Sequence, residues 1–404
     1  MQPNVLVRTP PFSTLGGILF GLIVAATAPA LETWKPDSAT GTSLAVIVPE
    51  RAALVHTAQV FPTRANQRPP SGAMRQAEQV LRNLDALLRS AGSGLQHLVR
   101  LHVCLAAPET LPEVQKVFAR RFAGAHKPAA SFVVSALPDR DALVAVDAVA
   151  LLATTNAPAF RSAPDSRFAL LPSNSKLYVS GMADPDALLP ATRETLEKLT
   201  NAIGYFGLGR EHVVQLKVFC QPMSEAAAVR RVIAEFFDQR PPPVVLVEWL
   251  SANPAVEIEL IATIPPDTPH GRVSASEPDA LRPVGFFTPP GTTDSPVFRR
   301  VARVNRGRLI YTSGLYGWKA TDAAGQVREI FQTLGEIVQA HHSDLEHLVK
   351  ATYYVADAEA DRQLNVIRPE FYHPQRAPAA SKARVRSVGP PGKTIMVDMI
   401  AVTQ

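Results

Sequence analysis

Self-similarity constrains this chain more than any other property. Three segments share one pattern: His97-Leu-Val-Arg-Leu-His-Val-Cys-Leu, His212-Val-Val-Gln-Leu-Lys-Val-Phe-Cys and His347-Leu-Val-Lys-Ala-Thr-Tyr-Tyr-Val. Each is rich in Val and aromatic residues with partial alternation, which predicts a strand. Counted from each leading His, apolar residues stand 16, 13 and 9 positions upstream: Leu81, Leu84 and Leu88, then Leu196, Leu199 and Ile203, then Phe331, Leu334 and Val338. Steps of three and four place these side chains on one face of a helix. A second helix ends at Phe122, Phe237 and Tyr372. Two more strands follow in each copy, the first beginning near Ala130, Val244 and Ala380, the last at 143–151, 256–264 and 394–402. A strand also precedes each long helix, at 53–58, 176–181 and 308–314.

This order predicts an α/β (α+β) unit, one sheet with two helices on one face, three times over. The expected domains are 40–153, 167–264 and 297–404, joined by Pro-, Ser-, Asp- and Thr-rich stretches at 154–166 and 265–296 that read as loops. Strands this apolar cannot leave the helix-free face of each sheet in water. Three copies in one chain solve that problem if their sheets cover one another around a common axis.

Bulk properties exclude several classes. The chain is 46% hydrophobic and 19% charged, so disorder of the whole is excluded. The net charge of +5 is spread out, with no basic run longer than Arg120-Arg121 or Arg299-Arg300, so no nucleic-acid partner is expected. Two cysteines, Cys104 and Cys220, lie in apolar strands of different copies and read as buried free thiols. At the N-terminus, Arg8, an apolar run at 15–26 and the small-residue sites Ala26-Thr27-Ala28 and Ala28-Pro29-Ala30 read as a secretory signal over residues 1–30. Export to a periplasm or the outside is the expectation, with a cytoplasmic chain as the alternative. The apolar run is too short for a stable membrane span.

The run Leu98-Val-Arg-Leu-His-Val-Cys-Leu, then Val117-Phe and Phe122, Pro128-Ala-Ala-Ser, Ala136-Leu-Pro138 and a closing Val-x-Val-Asp strand resemble the RidA/YjgF family, also labelled endoribonuclease L-PSP. The resemblance covers nearly all of residues 40–404, three times. It implies chorismate-mutase-like domains that normally form a homotrimer, with clefts between subunits. Here it implies a fused pseudo-trimer, a monomeric chain acting as an intramolecular trimer. Family members hydrolyse enamine and imine intermediates. The resemblance implies an Arg on the penultimate strand for the substrate carboxylate, a Glu on the last strand for the water, and a Ser-Gly turn and an Asn to line the cleft.

Carried over residue by residue, that set is scattered. The Arg position is Ala130 in the first copy, Pro243 or Val245 in the second, and Ala380 in the third. The Glu position is Ala145, Glu257 and Met396. The Ser-Gly turn is Thr57-Ala58, Ser180-Gly181 and Ser313-Gly314, and the Asn position is Gln115, Arg230 and Asn365. Glu257 is therefore the candidate catalytic acid. The candidate ligand-binding residues are Ser180, Gly181, Ser313, Gly314, Asn365 and Arg384, with Glu257 expected to meet Ser313 and Gly314, or Asn365, and with Lys382 or Arg384 as the replacement cation.

Other residues read as structural. Asp147, Glu259 and Asp398 recur in all three copies and are expected to pair with basic groups near the axis. His97, His212 and His347 stand where loops lead into strands and do not suggest a metal; no metal or cofactor is expected. His341-His342 reads as surface. Three functions follow. The first is a degenerate family member binding a small metabolite or a partner in an interdomain cleft. The second is an enamine/imine hydrolase with one surviving cleft. The third, ranked last because no basic groove is visible, is an endoribonuclease.

Overall fold

The computed structural model describes residues 30–404, apart from 64–66, 125, 154–160, 164, 174–175, 252, 266–278, 280–281 and 294. The signal expected at 1–30 lies outside the described residues but for its last position. The described chain opens with a hairpin, β1 (Glu32–Asp37) and β2 (Thr42–Val48). The first copy then runs β3 (Leu54–Thr57), α1 (Ala73–Ser90), β4 (Leu98–Leu105), α2 (Thr110–Arg121), β5 (Ala129–Val134) and β6 (Val144–Leu151). A second hairpin, β7 (Arg161–Ser162) and β8 (Phe168–Leu171), leads to β9 (Lys176–Ala183), α3 (Leu188–Gly204), β10 (Val213–Cys220), α4 (Ala226–Phe236), β11 (Val244–Glu248) and β12 (Val256–Thr263). A third, β13 (Val284–Phe287) and β14 (Val301–Val304), leads to β15 (Leu309–Thr312), α5 (Ala323–Ala340), β16 (Leu348–Val355), α6 (Ala358–Ile367), β17 (Ala379–Arg384) and β18 (Ile395–Val402).

The molecule is three RidA-like α+β units in tandem. Within each, the last strand lies antiparallel between the first and second strands, and the penultimate strand runs parallel to the second. The nine apolar helix positions read from the repeat are all at most 2% exposed. Each such side chain contributes roughly 1.5–3 kcal/mol on burial. The two helices of a copy thus cover one face of its sheet. Short 3-10 turns at Leu95–His97, Arg210–His212 and Leu345–His347 deliver the chain from helix to strand, which accounts for the three His residues.

Each sheet has six strands, and only four come from one copy. The orders are β5-β4-β6-β3-β8-β7, β11-β10-β12-β9-β14-β13 and β17-β16-β18-β15-β2-β1. The hairpin preceding one copy therefore completes the sheet of the copy before it, and the N-terminal hairpin completes the third sheet, closing the ring. Strand alternation explains why the hairpins hold: Ala45 and Ile47 enter the helix-side core of the third copy, while Val46 and Val48 face the centre. Phe168 and Leu170 fill the first core, and Phe287 and Val301 the second. This corrects the reading of 154–166 and 265–296 as loops, since β7 and β13 lie within them. Both are short edge strands, where Pro- and Ser-rich flanks are tolerated. His341 is also corrected. It is 4% exposed beneath the N-terminal hairpin, with the Trp34 ring edge-on at 5.8 Å.

The helix-free faces meet in one central core that includes Leu54, Val149, Tyr178, Val214, Tyr311 and Ile400 from all three copies. The recurring acids sit beside it. Arg100 of the first copy reaches Asp398 of the third at 3.1 Å, and Lys350 of the third reaches Glu259 of the second at 2.6 Å. The equivalent residue of the second copy, Gln215, is neutral and donates instead to the Thr57 carbonyl at 2.7 Å. Asp147 accepts from His102 at 2.8 Å, whose other ring nitrogen meets the Tyr354 hydroxyl of the third copy. Two of the three interfaces are thus tied by buried ion pairs and one by an amide. Among the described residues no helix is long and apolar enough to cross a membrane.

Candidate functional site

Strand register fixes which residues are equivalent. Leu101, Leu216 and Ala351 pair with Ala130, Val244 and Ala380, so the position where the family carries its Arg is Val244 in the second copy, not Pro243 or Val245. No guanidinium stands at that position in any copy. Pairing of the first strand to the last aligns His56, Tyr178 and Tyr311. The Ser-Gly position of the first copy is therefore Ala58-Gln59, not Thr57-Ala58. Each such pair reaches the next copy's penultimate strand: Gly314 N–H donates to the Ala130 carbonyl at 3.0 Å and Gln59 N–H to Val244 at 3.3 Å. The Ala380 N–H donates to the Ser180 hydroxyl at 2.7 Å.

Glu257 lies at the interface of the second and third copies. It sits against Gly181 of its own copy, and Ser313-Gly314 belong to a different interface, which corrects that pairing. A Cβ on Gly181 would lie 2.0 Å from Glu257 Oε1, so a larger residue there would displace the Glu257 carboxylate from its present place. The Ser381 hydroxyl and the Lys382 backbone N–H of the third copy lie against the carboxylate. Glu257 Oε1 is enclosed without a hydrogen-bond partner. Burial first, and the charge of Glu259 second, push this carboxyl up to about 7. Such a group can give or take a proton near neutrality. Arg300, which the sequence reading did not single out, flanks the same glycine: its Nη1 donates to the Gly181 carbonyl at 2.9 Å and its Nε is enclosed without a partner. Ser180 is fully engaged, donating to the Arg299 carbonyl at 2.6 Å as well as accepting from Ala380.

The other expected partners of Glu257 are committed elsewhere. Lys382 Nζ lies 2.5 Å from Asp361 and donates to Asn365 Oδ1 at 3.2 Å, on the helix side of the sheet. Arg384 is exposed on the same strand face, two residues on, and its carbonyl accepts from Leu250.

At the interface of the third and first copies the Glu position is Met396, whose side chain occupies the space beside Gly314. Ser313 donates to the Ser43 carbonyl at 2.6 Å and accepts from Ala130 N–H at 2.8 Å. Hydroxyl and backbone groups thus stand here with a methionine at the acid's position.

The interface of the first and second copies is open. A cavity of about 600 Å³ lies there, lined by Gln59, Phe61, Arg230 and Val244 and, among its charged residues, by Asp139, Asp165 and Arg167. A second of about 550 Å³ shares Ala58, Gln59, Phe61 and Thr63 with it, so the two form one groove. The Glu position is Ala145, in the apolar core. Arg230, at the family's Asn position on α4, lines the cavity. Burial lowers its affinity for the proton, and among the described residues no acidic group pairs with it. Its spacing on α4 was legible in sequence, but its lack of a direct ion pair was not. Among the described residues no cluster of His, Cys, Asp or Glu could hold a metal ion.

The sequence profile of the Endoribonuclease L-PSP family matches residues 36–152, 166–264 and 295–403. The RutC family protein slr0709 of Synechocystis is 39% identical over 79 residues, which is 20% of this chain and 61% of that protein. The 2-iminobutanoate/2-iminopropanoate deaminase of Mus musculus is 26% identical over 121 residues, 30% of this chain and 89% of that protein. The Rid-family protein YyfB of Yersinia pestis, solved by crystallography, is 30% identical over 30% of this chain and 94% of its own, with a TM-score of 0.26. The chain spans about 61% of the length of the first of these relatives and most of the other two. With the profile matched three times over most of its length, this chain belongs to the Endoribonuclease L-PSP family, the RidA/YjgF proteins.

Proposed function

We propose that this protein binds a small carboxylate-bearing metabolite in the cleft between its first and second copies, acting as an intramolecular trimer whose sites are too divided for efficient imine hydrolysis. One observation carries the reading: Arg230 lines the open cavity and among the described residues no acid pairs with it, since Asp165 there is held by Arg167 and Asp139 by Thr63 and the Asp141 N–H, while the acid Glu257 lies at another interface. A guanidinium with no direct ion pair among the described residues, in a cavity within the range of about 300–1,000 Å³ typical of small-ligand sites, suits a carboxylate. The test is a thermal-shift series with small carboxylates such as pyruvate and 2-oxobutanoate. Stabilisation that disappears in Arg230→Ala and survives in Glu257→Gln supports the reading. Stabilisation unchanged in Arg230→Ala removes it.

A second reading is favoured by Glu257 and Arg300. An acid poised near neutrality beside an under-paired guanidinium is the surviving half of a hydrolytic cleft, and a deaminase is among the relatives. Measuring 2-aminoacrylate hydrolysis separates the two. Turnover abolished by Glu257→Ala establishes the second reading, and turnover no faster than buffer leaves the first. The endoribonuclease reading stays last because the sequence has no basic run longer than a pair; RNA cleavage persisting through stringent purification would promote it. Export belongs to the same proposal. Mass spectrometry of the mature protein should find an N-terminus near residue 30, and an intact Met1 would overturn it.

A further inference from the structure

The three hairpin-to-copy turns converge at one end of the central core. Each turn joins a strand that completes one sheet to the strand that begins the next. Glu50 and Arg51 come from the turn after β2, Ser173 follows β8 and Lys176 opens β9, and Asn305 and Arg306 come from the turn after β14. Between them lies a cavity of about 170 Å³. Three of these six residues are cations and one is an acid. Glu50 is already held by the Gly307 N–H at 3.0 Å. Gly307 has φ of 93°, and a Cβ there would lie 2.6 Å from the Thr403 carbonyl, so the turn keeps its shape only with glycine.

Lys176 is the part of this cavity that exposed basic residues alone would not supply. It is 4% exposed. Alternation along β9 places it on the inward face with Tyr178, which approaches Tyr311 at 3.5 Å in the central core. Its equivalents are Leu54 and Leu309, so a buried ammonium stands where the other two copies have leucine. Burial lowers its pKa to about 8, the direction expected of an ammonium held away from water. Arg51 and Arg306 stand exposed at the rim, and among the described residues neither forms an ion pair. A cavity of this volume has room for several waters. That suits a tetrahedral oxyanion and falls below the ~300 Å³ at which drug-sized ligand sites begin.

We infer that the cavity where these three connections meet is an oxyanion site, in which Lys176 at the start of β9 and Arg51 and Arg306 of the other two connections hold a phosphate-like anion that ties the three copies together at that end. The site stands apart from the interdomain clefts and does not depend on what they bind. The experiment titrates the full chain with inorganic phosphate, following melting temperature and calorimetric heat, with chloride at matched ionic strength as control. Saturable stabilisation by phosphate, absent with chloride and weakened at least tenfold in both Lys176→Met and Arg51→Ala/Arg306→Ala, is the expected result. Equal effects of phosphate and chloride, or variants that bind as tightly as the parent, would overturn the site. If Lys176→Met fails to fold, the exposed double variant decides alone.

Discussion

The interface between the first and second copies and the one between the second and third occupy equivalent places in a repeated structure, yet they have diverged in opposite directions. The first is open and neutral at its centre, with Gln215 donating to a backbone carbonyl and Arg230 facing a cavity. The second is charged at its centre, with Lys350 on Glu259, and with Glu257 and Arg300 packed around Gly181. In a homotrimer one substitution would alter all three sites together. Fusion into one chain removes that constraint, so one interface can carry a buried ion pair while another keeps an open cavity.

The largest expected effect tests the ionic side of this contrast. Lys350→Met leaves Glu259 buried without its partner and should cost about 3–5 kcal/mol in urea unfolding. Gln215→Ala at the open interface should cost only about 1 kcal/mol, the worth of an ordinary hydrogen bond. Equal losses would erase the distinction.

Glu257→Gln should stabilise the protein, and only at higher pH. The folded carboxyl titrates near 7, against 4.5 for the ordinary group. Below pH 4.5 both states are protonated and the substitution should be neutral. Between 4.5 and 7 the unfolded chain ionises first, so the native protein loses stability as pH rises. Above 7 the loss is complete, at most about 3 kcal/mol, and the glutamine variant should recover it. Unfolding midpoints at pH 4.5 and 8 measure this, and a gain equal at both would contradict the burial argument.

Gly181→Ala should cost about 1–3 kcal/mol, because the added methyl meets the Glu257 carboxylate. In a Glu257→Ala background most of that cost should vanish, and a double-mutant cycle with no coupling would show that the two are not in contact. The smallest effect belongs to the open cleft. Arg230→Met should raise stability by about 0.5–2 kcal/mol without ligand, as expected where a site is kept for binding at the expense of packing. A loss of stability there would mean that Arg230 is a structural residue.

Much of the fold was legible. The helix faces at Leu81, Leu196 and Phe331 follow from a period of 3.6, which acts locally, and the lone acid at 257 follows from position within the repeat. Less of the site was legible. The Ser-Gly position of the first copy and the Arg position of the second each shifted by one residue, since a strand read without its neighbour has no register. Lys382 was a reasonable cation by alternation, but only packing against α6 showed it bound to Asp361. Arg300 drew no attention because it lies just before β14, and its meeting with Glu257 depends on that hairpin joining the second copy's sheet.

Taken alone, the sequence determined the number of copies, the face each helix buries, and the loss of the strand guanidinium from every copy, because periodicity and residue type are properties of short stretches. Tertiary structure decided which sheet each hairpin completes, and hence which residues share a cleft. An alternating strand carries the same pattern whether it adds to its own copy or to the preceding one. The choice rests on pairings such as Ile47 with Ile310, made across more than half the chain.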